Sequence, residues 1–425
     1  MTATLITSYR SPGKYALNVL AGAFDAVEDE GGVRLVIARS REALLESTRS
    51  SVEAGQPTCV AWSFYSPSFP ACADELAWLR ERVPSGWTAL AGGVHASAEP
   101  EQVLRAGFDF AAVGEGEHTV RAIARALRDG RPLAEVRGLA RLERGALAQE
   151  GRGVVVEHLD EFPAFSARRR MWGAIEITRG CVYACKFCQT PFLNKARFRH
   201  RSPANVAHHA GQIRAAGMRD VRFVSPTSLS YGSPDERVDL AAVEELLRAV
   251  RAAIGGEGRL YFGTFPSEVR PEHATPEALA LLRSFVDNDN LVLGGQSGSE
   301  RVLRASHRGH DVECIERAVV NCAAAGFTAN VDFLLGLPGE EPSDVDATVA
   351  LMERLMALGA RVHGHTFMPL PGTPFRDAPA GALDERTRAR LESLEGRGRL
   401  YGQWKRQAEI ARELVERRPV RRGAR

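Results

Sequence analysis

The chain has 425 residues, of which 44% are hydrophobic and 25% charged, and its formal net charge is +2. This composition excludes general disorder, and the near balance of charge excludes a globally basic nucleic-acid binder. No apolar run approaches the ~20 residues that a membrane helix needs, and the opening MTATLITSYRSPG lacks the basic leader and cleavage pattern of a signal peptide.

A cytoplasmic location is therefore expected, with two or three domains for this length. The seven cysteines are three clustered and four scattered, which is no disulfide framework. Arg417, Arg418, Arg421, Arg422 and Arg425 crowd the end and read as a solvated tail, with an RNA or membrane contact as the lesser alternative.

Residues 1–130 alternate short apolar strands, beginning at Ala3, Val33, Cys59, Trp87 and Phe108, with amphipathic helices such as the run from Lys14. Five βα units predict a flavodoxin-like doubly wound α/β domain, whose ligands lie beyond the carboxyl ends of the strands. Residues 131–170 break the rhythm and read as an excursion and linker. From 171 to 375 the βα rhythm resumes, with strands expected at Gly173, Val221, Leu260, Asn290, Ala329 and Val362. Six such units predict a partial (βα)6 barrel with its functional loops at the strand carboxyl ends. Residues 376–425 form a charged, helical extension.

Directly after the first barrel strand comes Gly180-Cys181-Val182-Tyr183-Ala184-Cys185-Lys186-Phe187-Cys188, a CxxxCxxC loop with an aromatic before its last cysteine. Such a loop directs three thiolates at one cubane and leaves the fourth iron without a protein ligand. Structural zinc is the competing use, but it generally takes four protein ligands, and no partner pair lies nearby. A redox pair would use Cys185 and Cys188 and leave Cys181 idle.

The loop and its position resemble the radical SAM (S-adenosylmethionine) superfamily. That resemblance implies a [4Fe–4S] cluster on Cys181, Cys185 and Cys188, with SAM on the open iron, cleaved reductively to a 5′-deoxyadenosyl radical. It places Phe187 near the adenine. It also implies SAM contacts from Ser225 and Thr227, in a segment that matches the family's Gly-Gly-Glu motif poorly, and from Gln296 and Ser297 in a Gln-Ser-Gly stretch. Leu334 and Leu337 fall in the adenine-contacting segment, where Asp332 replaces the family's first glycine. The resemblance covers residues 171–375. A methylthiotransferase of the same superfamily needs a second cluster on three N-terminal cysteines, and only Cys59 and Cys72 are present.

A flavodoxin-like domain ahead of such a barrel resembles the cobalamin-binding radical SAM enzymes. The positions that carry this are Gly92, Gly93 and His95 after the fourth strand and Gly114 and Glu115 after the fifth. Asp-x-His-x-x-Gly, which supplies an axial histidine in one cobalamin class, is absent: the first strand runs instead into Ser8-Tyr9-Arg10-Ser11-Pro12-Gly13. Any cobalamin is expected to bind without that ligand.

The expected function is a radical SAM enzyme using cobalamin to methylate a small or otherwise unspecified substrate. Its electron donor would be a flavodoxin or ferredoxin, with no membrane or nucleic-acid partner. The alternatives are cyclisation or rearrangement without methyl transfer, and a cluster-bearing sensor or RNA-binding protein.

Overall fold

The computed structural model describes residues 2–10 and 13–418 and divides the chain into two compact units, 1–173 and 174–425. Ser11 and Pro12 of the first strand exit, and Arg421, Arg422 and Arg425 of the basic tail, lie outside the described residues.

In the first unit a seven-stranded sheet has the order β2-β1-β3-β4-β5-β6-β7. Its strands are β1 Ala3–Ser8, β2 Val33–Ala38, β3 Thr58–Ser63, β4 Thr88–Gly92, β5 Phe110–Ala112, β6 Leu139–Glu143 and β7 Ala146–Gln149. β1 to β5 are mutually parallel, and successive residues of β1 serve opposite cores. Leu5 packs with Phe24, Val27 and Ile123 of helices Lys14–Asp29 and Glu117–Asp129, whereas Ile6 packs with Leu44, Leu76 and Leu79 of helices Arg41–Glu53 and Phe69–Arg82. All six residues of β1 are buried, as a strand covered on both faces requires. Each fully buried Leu or Phe contributes ~1.5–3 kcal/mol.

Within the segment that reads as an excursion and linker, residues 139–149 continue this sheet, because β5–β6 and β6–β7 pair antiparallel. The β6–β7 turn at Arg144 and Gly145 has φ of 50° and 81°. Two consecutive positive φ values match the twist of a hairpin.

The second unit is an arc of parallel strands. β8 Ile175–Glu176, β11 Asp220–Val224 and β12 Arg259–Tyr261 form one group, and β13 Asn290–Gln296, β14 Thr328–Leu335, β15 Arg361–Thr366 and β16 Leu400–Tyr401 form the other. A bridge from Val269 to Leu293 joins the two groups. β9 Thr178–Arg179 and β10 Arg199–His200 pair antiparallel at the mouth. Along β14, Ala329, Val331, Phe333 and Leu335 are buried and alternate with half-buried Asn330, Asp332 and Leu334. This period of two separates a helix-packed face from a lumen face. The charged extension belongs to this unit: β16 pairs with β15, and Trp404 of helix Trp404–Glu416 is buried. Arg418 ends the described chain by donating to Ala378 O at 2.8 Å.

Candidate functional site

The β9–β10 pair closes residues 180–198 into one loop at the end of the first barrel strand. Gly180 has φ +81°, and a Cβ there would collide with the Arg197 carbonyl, so only glycine admits the closure. Inside the loop Ala184 is left-handed at φ +45° and Cys188 N donates to Cys185 O at 3.0 Å. Several hydrogen bonds tie the loop to other segments. Lys186 N donates to Ser306 O at 3.1 Å, Phe375 N to Lys186 O at 3.3 Å, and Gln189 Nε2 to Pro371 O at 2.7 Å.

Cys181, Cys185 and Cys188 share one apolar patch with Val182, Tyr183, Phe187 and Phe198. Burial pushes the Cys181 thiol up to about 12 and raises that of Cys188. Among the described residues the single set of three His, Cys, Asp or Glu side chains converging within 4.8 Å is elsewhere. A cubane gives each thiolate its own iron.

Two buried guanidiniums flank the sulfurs. Arg308 Nη1 donates to Cys185 Sγ at 3.5 Å and Nη2 to Gly294 O at 2.5 Å, while Arg270 lies 3.5 Å over the Tyr183 ring. Arg308 Nε and Arg270 Nη2 are buried without a protein partner. Such orphaned donors call for an acceptor or a negative charge, so the residues present fit an anionic cluster and a carboxylate-bearing ligand.

Several residues singled out from the sequence come together here. Phe187 packs with Leu334, Leu337, Val302, Phe367 and Phe375 in one apolar cluster. Gln296 adopts φ +72° at the bulge that ends the regular β13–β14 register. A Cβ at Gly294 would fall 2.9 Å from Gln296 Nε2, 3.2 Å from Arg308 Nη2 and 3.3 Å from Glu268 Oε2. Gln296, Arg308 and Glu268 therefore crowd one spot on the lumen face. Ser297 points the other way, its hydroxyl 3.2 Å from Thr348 Oγ1, and Ser299 caps helix Glu300–Ala305. Ser225 Oγ is spent on Thr227 O at 2.8 Å, but Thr227 Oγ1 and Ser228 Oγ are buried without partners.

Sequence reasoning missed Arg270, Arg308 and Glu268. Arg308 follows the Gln-Ser-Gly stretch within the same connection, a signal of place; Glu268 and Arg270 lie between strands with no motif around them. Burial pushes the Glu268 carboxyl up.

In the first unit β4 ends at Gly92, where a Cβ would meet only Trp62 O at 3.6 Å. Gly93 is different: φ is +92°, and a Cβ would fall 2.7 Å from Phe64 O. His95 is buried, its Nδ1 3.0 Å from Ser66 Oγ and its ring stacked on Phe69. Burial lowers it to about 4, and Nε2 has no partner. Thr7 Oγ1, on the carboxyl half of β1, is likewise buried and unpartnered. The open side of Gly92 and these orphaned atoms lie toward the strand exits of a β2-β1-β3-β4-β5 sheet, where a doubly wound fold takes its ligand. They fit a bound nucleotide-tailed cofactor. Gly114 and Glu115 are occupied by the chain itself: a Cβ at Gly114 would fall 3.3 Å from Gly153 N, and Glu115 Oε2 accepts from Val156 N at 2.9 Å.

The radical SAM superfamily model matches residues 175–352 and the B12 binding domain model residues 2–124. The first implies a [4Fe–4S] cluster and SAM, the second cobalamin. Among curated proteins, the tRNA-2-methylthio-N(6)-dimethylallyladenosine synthase of Thermobifida fusca (strain YX) is 31% identical over 270 residues, covering 60% of this chain and 52% of that protein. The synthase of the same name from Trichlorobacter lovleyi is 27% identical over 245 residues, covering 56% and 53%. The chain thus spans about half the length of the curated relatives it matches.

Among solved structures, the radical S-adenosylmethionine methyltransferase TsrM from Kitasatospora setae, with cobalamin and [4Fe–4S] cluster bound, superposes with a TM-score of 0.68 at 20% identity, covering 89% of this chain and 75% of that one. The cobalamin-dependent S-adenosylmethionine radical enzyme OxsB gives 0.65 at 16% identity, covering 83% and 52%. These two likenesses are of fold. Among the described residues no helix is long and apolar enough to cross a membrane.

Proposed function

Because this chain is a radical SAM enzyme that carries a B12-binding domain, we propose that it methylates a small organic substrate, with the cluster held by Cys181, Cys185 and Cys188. The observation that carries the reading is the pairing, on one chain, of a three-cysteine loop beside unpartnered buried guanidinium nitrogens with a sheet of B12-binding type. When bound, the cluster supplies the electron that splits SAM and cobalamin carries the methyl group. A flavodoxin or ferredoxin is the electron donor proposed for the cluster.

The chain's own residues prepare that chemistry. Arg308 and Arg270 offset negative charge beside the cysteines, where a low dielectric strengthens their effect. Phe187, Leu334 and Leu337 offer an apolar surface suited to a flat base. Thr227 Oγ1 and Ser228 Oγ offer hydroxyls to polar groups of SAM or substrate. Gln296 and Glu268 face the same part of the lumen and orient what is bound there. In the first unit Gly92 leaves room at the end of β4 for cobalamin.

The methylthiolation named for the curated relatives is not proposed. Cys59 and Cys72, the cysteines of the first unit, are pushed up to about 12 by burial, and Cys59 lies fully buried inside β3. They offer no second three-cysteine loop.

The test is to incubate reduced, cluster-loaded and cobalamin-loaded protein with SAM and a cell extract, and to quantify 5′-deoxyadenosine and S-adenosylhomocysteine by mass spectrometry. Both are expected, together with a methylated product. Substrate-dependent 5′-deoxyadenosine without S-adenosylhomocysteine or methylation would replace methyl transfer by cyclisation or rearrangement. Absence of both nucleosides from fully loaded protein would favour a sensor.

A further inference from the structure

On the lumen face of the last barrel strands, away from the cysteine loop in sequence, three side chains converge. Asp332 of β14 is the cross-strand partner of His363 on β15, and His365 lies two residues further along the same strand and face. His363 Nδ1 is 2.9 Å from Asp332 Oδ1 and 3.1 Å from His365 Nε2, and His365 Nε2 is 4.0 Å from Asp332 Oδ2. All three side chains are partly open, between 17% and 28% exposed. Tyr401 of β16 stacks on His363 at 4.5 Å with the rings 8° from parallel, which fixes that ring's plane.

We propose that Asp332, His363 and His365 form a second metal site that takes one divalent first-row transition ion.

The proton count carries the argument. Thr366 N donates to Gln407 Oε1 at 3.0 Å, so the amide turns its NH2 toward His365 Nδ1, 3.1 Å away. That nitrogen then accepts, and the proton of the neutral ring lies on Nε2, aimed at His363 Nδ1. His363 Nδ1 must therefore present a lone pair to His365. Asp332 Oδ1 faces the same nitrogen with another lone pair. Two acceptors at 2.9 Å are stable only if a further positive charge enters between them. A cation supplies it and joins all three groups.

The spacing suits one ion. Donors about 2.1 Å from a common ion and at right angles to each other stand about 3.0 Å apart, close to the 2.9 and 3.1 Å that separate His363 Nδ1 from its two neighbours, while the 4.0 Å from His365 Nε2 to Asp332 Oδ2 opens a wider angle at the ion. Two imidazoles and a carboxylate on adjacent strands form a three-donor set that leaves open positions for water or substrate. On capture the His365 Nε2 proton passes through solvent to Nδ1, which frees Nε2 for the ion, and a side-chain oxygen at position 407 then accepts from Nδ1–H, the outer-shell bond that metal-bound histidines generally make.

The competing occupant is a single extra proton on the Asp332–His363 pair, and metal titration separates the two. Full-length protein with its cluster loaded and oxidised is titrated with Mn(II), and free ion is counted from its six-line electron paramagnetic resonance signal. Thiolates are poor manganese ligands, so the cysteine loop does not compete.

One Mn(II) per chain is expected, displaced by Zn(II). His363→Ala, His365→Ala and Asp332→Asn should each weaken binding at least about tenfold, whereas His208→Ala, at an exposed histidine on helix Pro203–Ala215, should not. Gln407→Glu should tighten binding and Gln407→Leu weaken it by about tenfold or more. The Gln407 pair alters no ligand and keeps the test decisive if a ligand variant fails to fold. Absence of Mn(II) uptake by the folded parent, or equal affinity in the parent and the His363, His365 and Gln407 variants, would overturn the site.

Discussion

The two units are both parallel α/β structures with polar groups at their strand exits, yet they prepare those exits by different means. The barrel mouth is armed with side chains: three cysteines, two guanidiniums with orphaned nitrogens, and buried hydroxyls without partners. The exits of the first unit are shaped by backbone. Gly93 exists to let β4 pass against Phe64, and Gly114 to let the chain at Gly153 lie across β5. A site built from side chains chooses its ligand by charge and donor type, whereas one built from glycine chooses by shape. Replacing one residue should therefore have opposite signatures in the two units.

The largest effect is expected at the cysteines. Cys181→Ala, Cys185→Ala or Cys188→Ala should each remove most iron–sulfur absorption and lower 5′-deoxyadenosine formation by at least about a hundredfold, because each thiolate serves one iron. Cys314→Ala should leave both unchanged, since that thiol is buried in helix Val312–Ala324. Iron content, the visible spectrum and single-turnover product yield measure the contrast. A full cluster in the triple variant would break it.

The same difference explains what could be read from the sequence. The CxxxCxxC spacing lies within one loop, so local sequence carries the whole signal, whereas the packing of Phe187 with Leu334 and Leu337 joins segments far apart in the chain. The β6–β7 hairpin was hidden because its turn uses Arg144 at a left-handed position where Asn or Asp would have announced it. Arg270, Glu268 and the Asp332–His363 pairing depend on strand register, which no local pattern encodes. His95 follows a glycine pair and so looks like a ligand contact, but the Phe64 and Phe69 rings claim it for the core and leave only Nε2 spare. Ser297 is similar, a motif serine turned toward Thr348.

A middle-sized effect separates two adjacent glycines. Gly92→Leu places a side chain where the chain itself leaves space, and should weaken cobalamin binding by about tenfold or more while cluster absorption and melting temperature hold. Gly93→Ala should act on the fold instead, because its φ of +92° and the nearby Phe64 backbone both oppose a Cβ. A loss of roughly 1–3 kcal/mol of stability is expected. Cobalamin titration and thermal melting of both variants test the division. Equal cobalamin affinity in Gly92→Leu and the parent would remove Gly92 from the pocket.

The smallest effect lies at the exit of β14 and depends on pH. Glu340 Oε2 accepts from Gly336 N at 2.6 Å, Oε1 is buried without a partner, and burial pushes the carboxyl up from its ordinary value to about 7, with Asp344 adding and Arg301 opposing. In the unfolded chain the same carboxyl titrates near about 4.3. Below that pH both states hold the proton and Glu340 costs nothing. Between there and about pH 7 the unfolded state releases its proton first, so stability falls as pH rises, and above pH 7 the buried charge is fully penalised. Glu340→Gln keeps an acceptor for Gly336 N and never ionises. It should melt with the parent at pH 4.5 and be more stable at pH 8, by about 2 kcal/mol or less given solvent relaxation. Melting both proteins across that range measures the difference. A variant with no gain at pH 8 would mean that Arg301 neutralises the carboxylate in place. The β14 exit would then be held by charge pairing, like the Arg270–Glu272 pair, instead of by a retained proton.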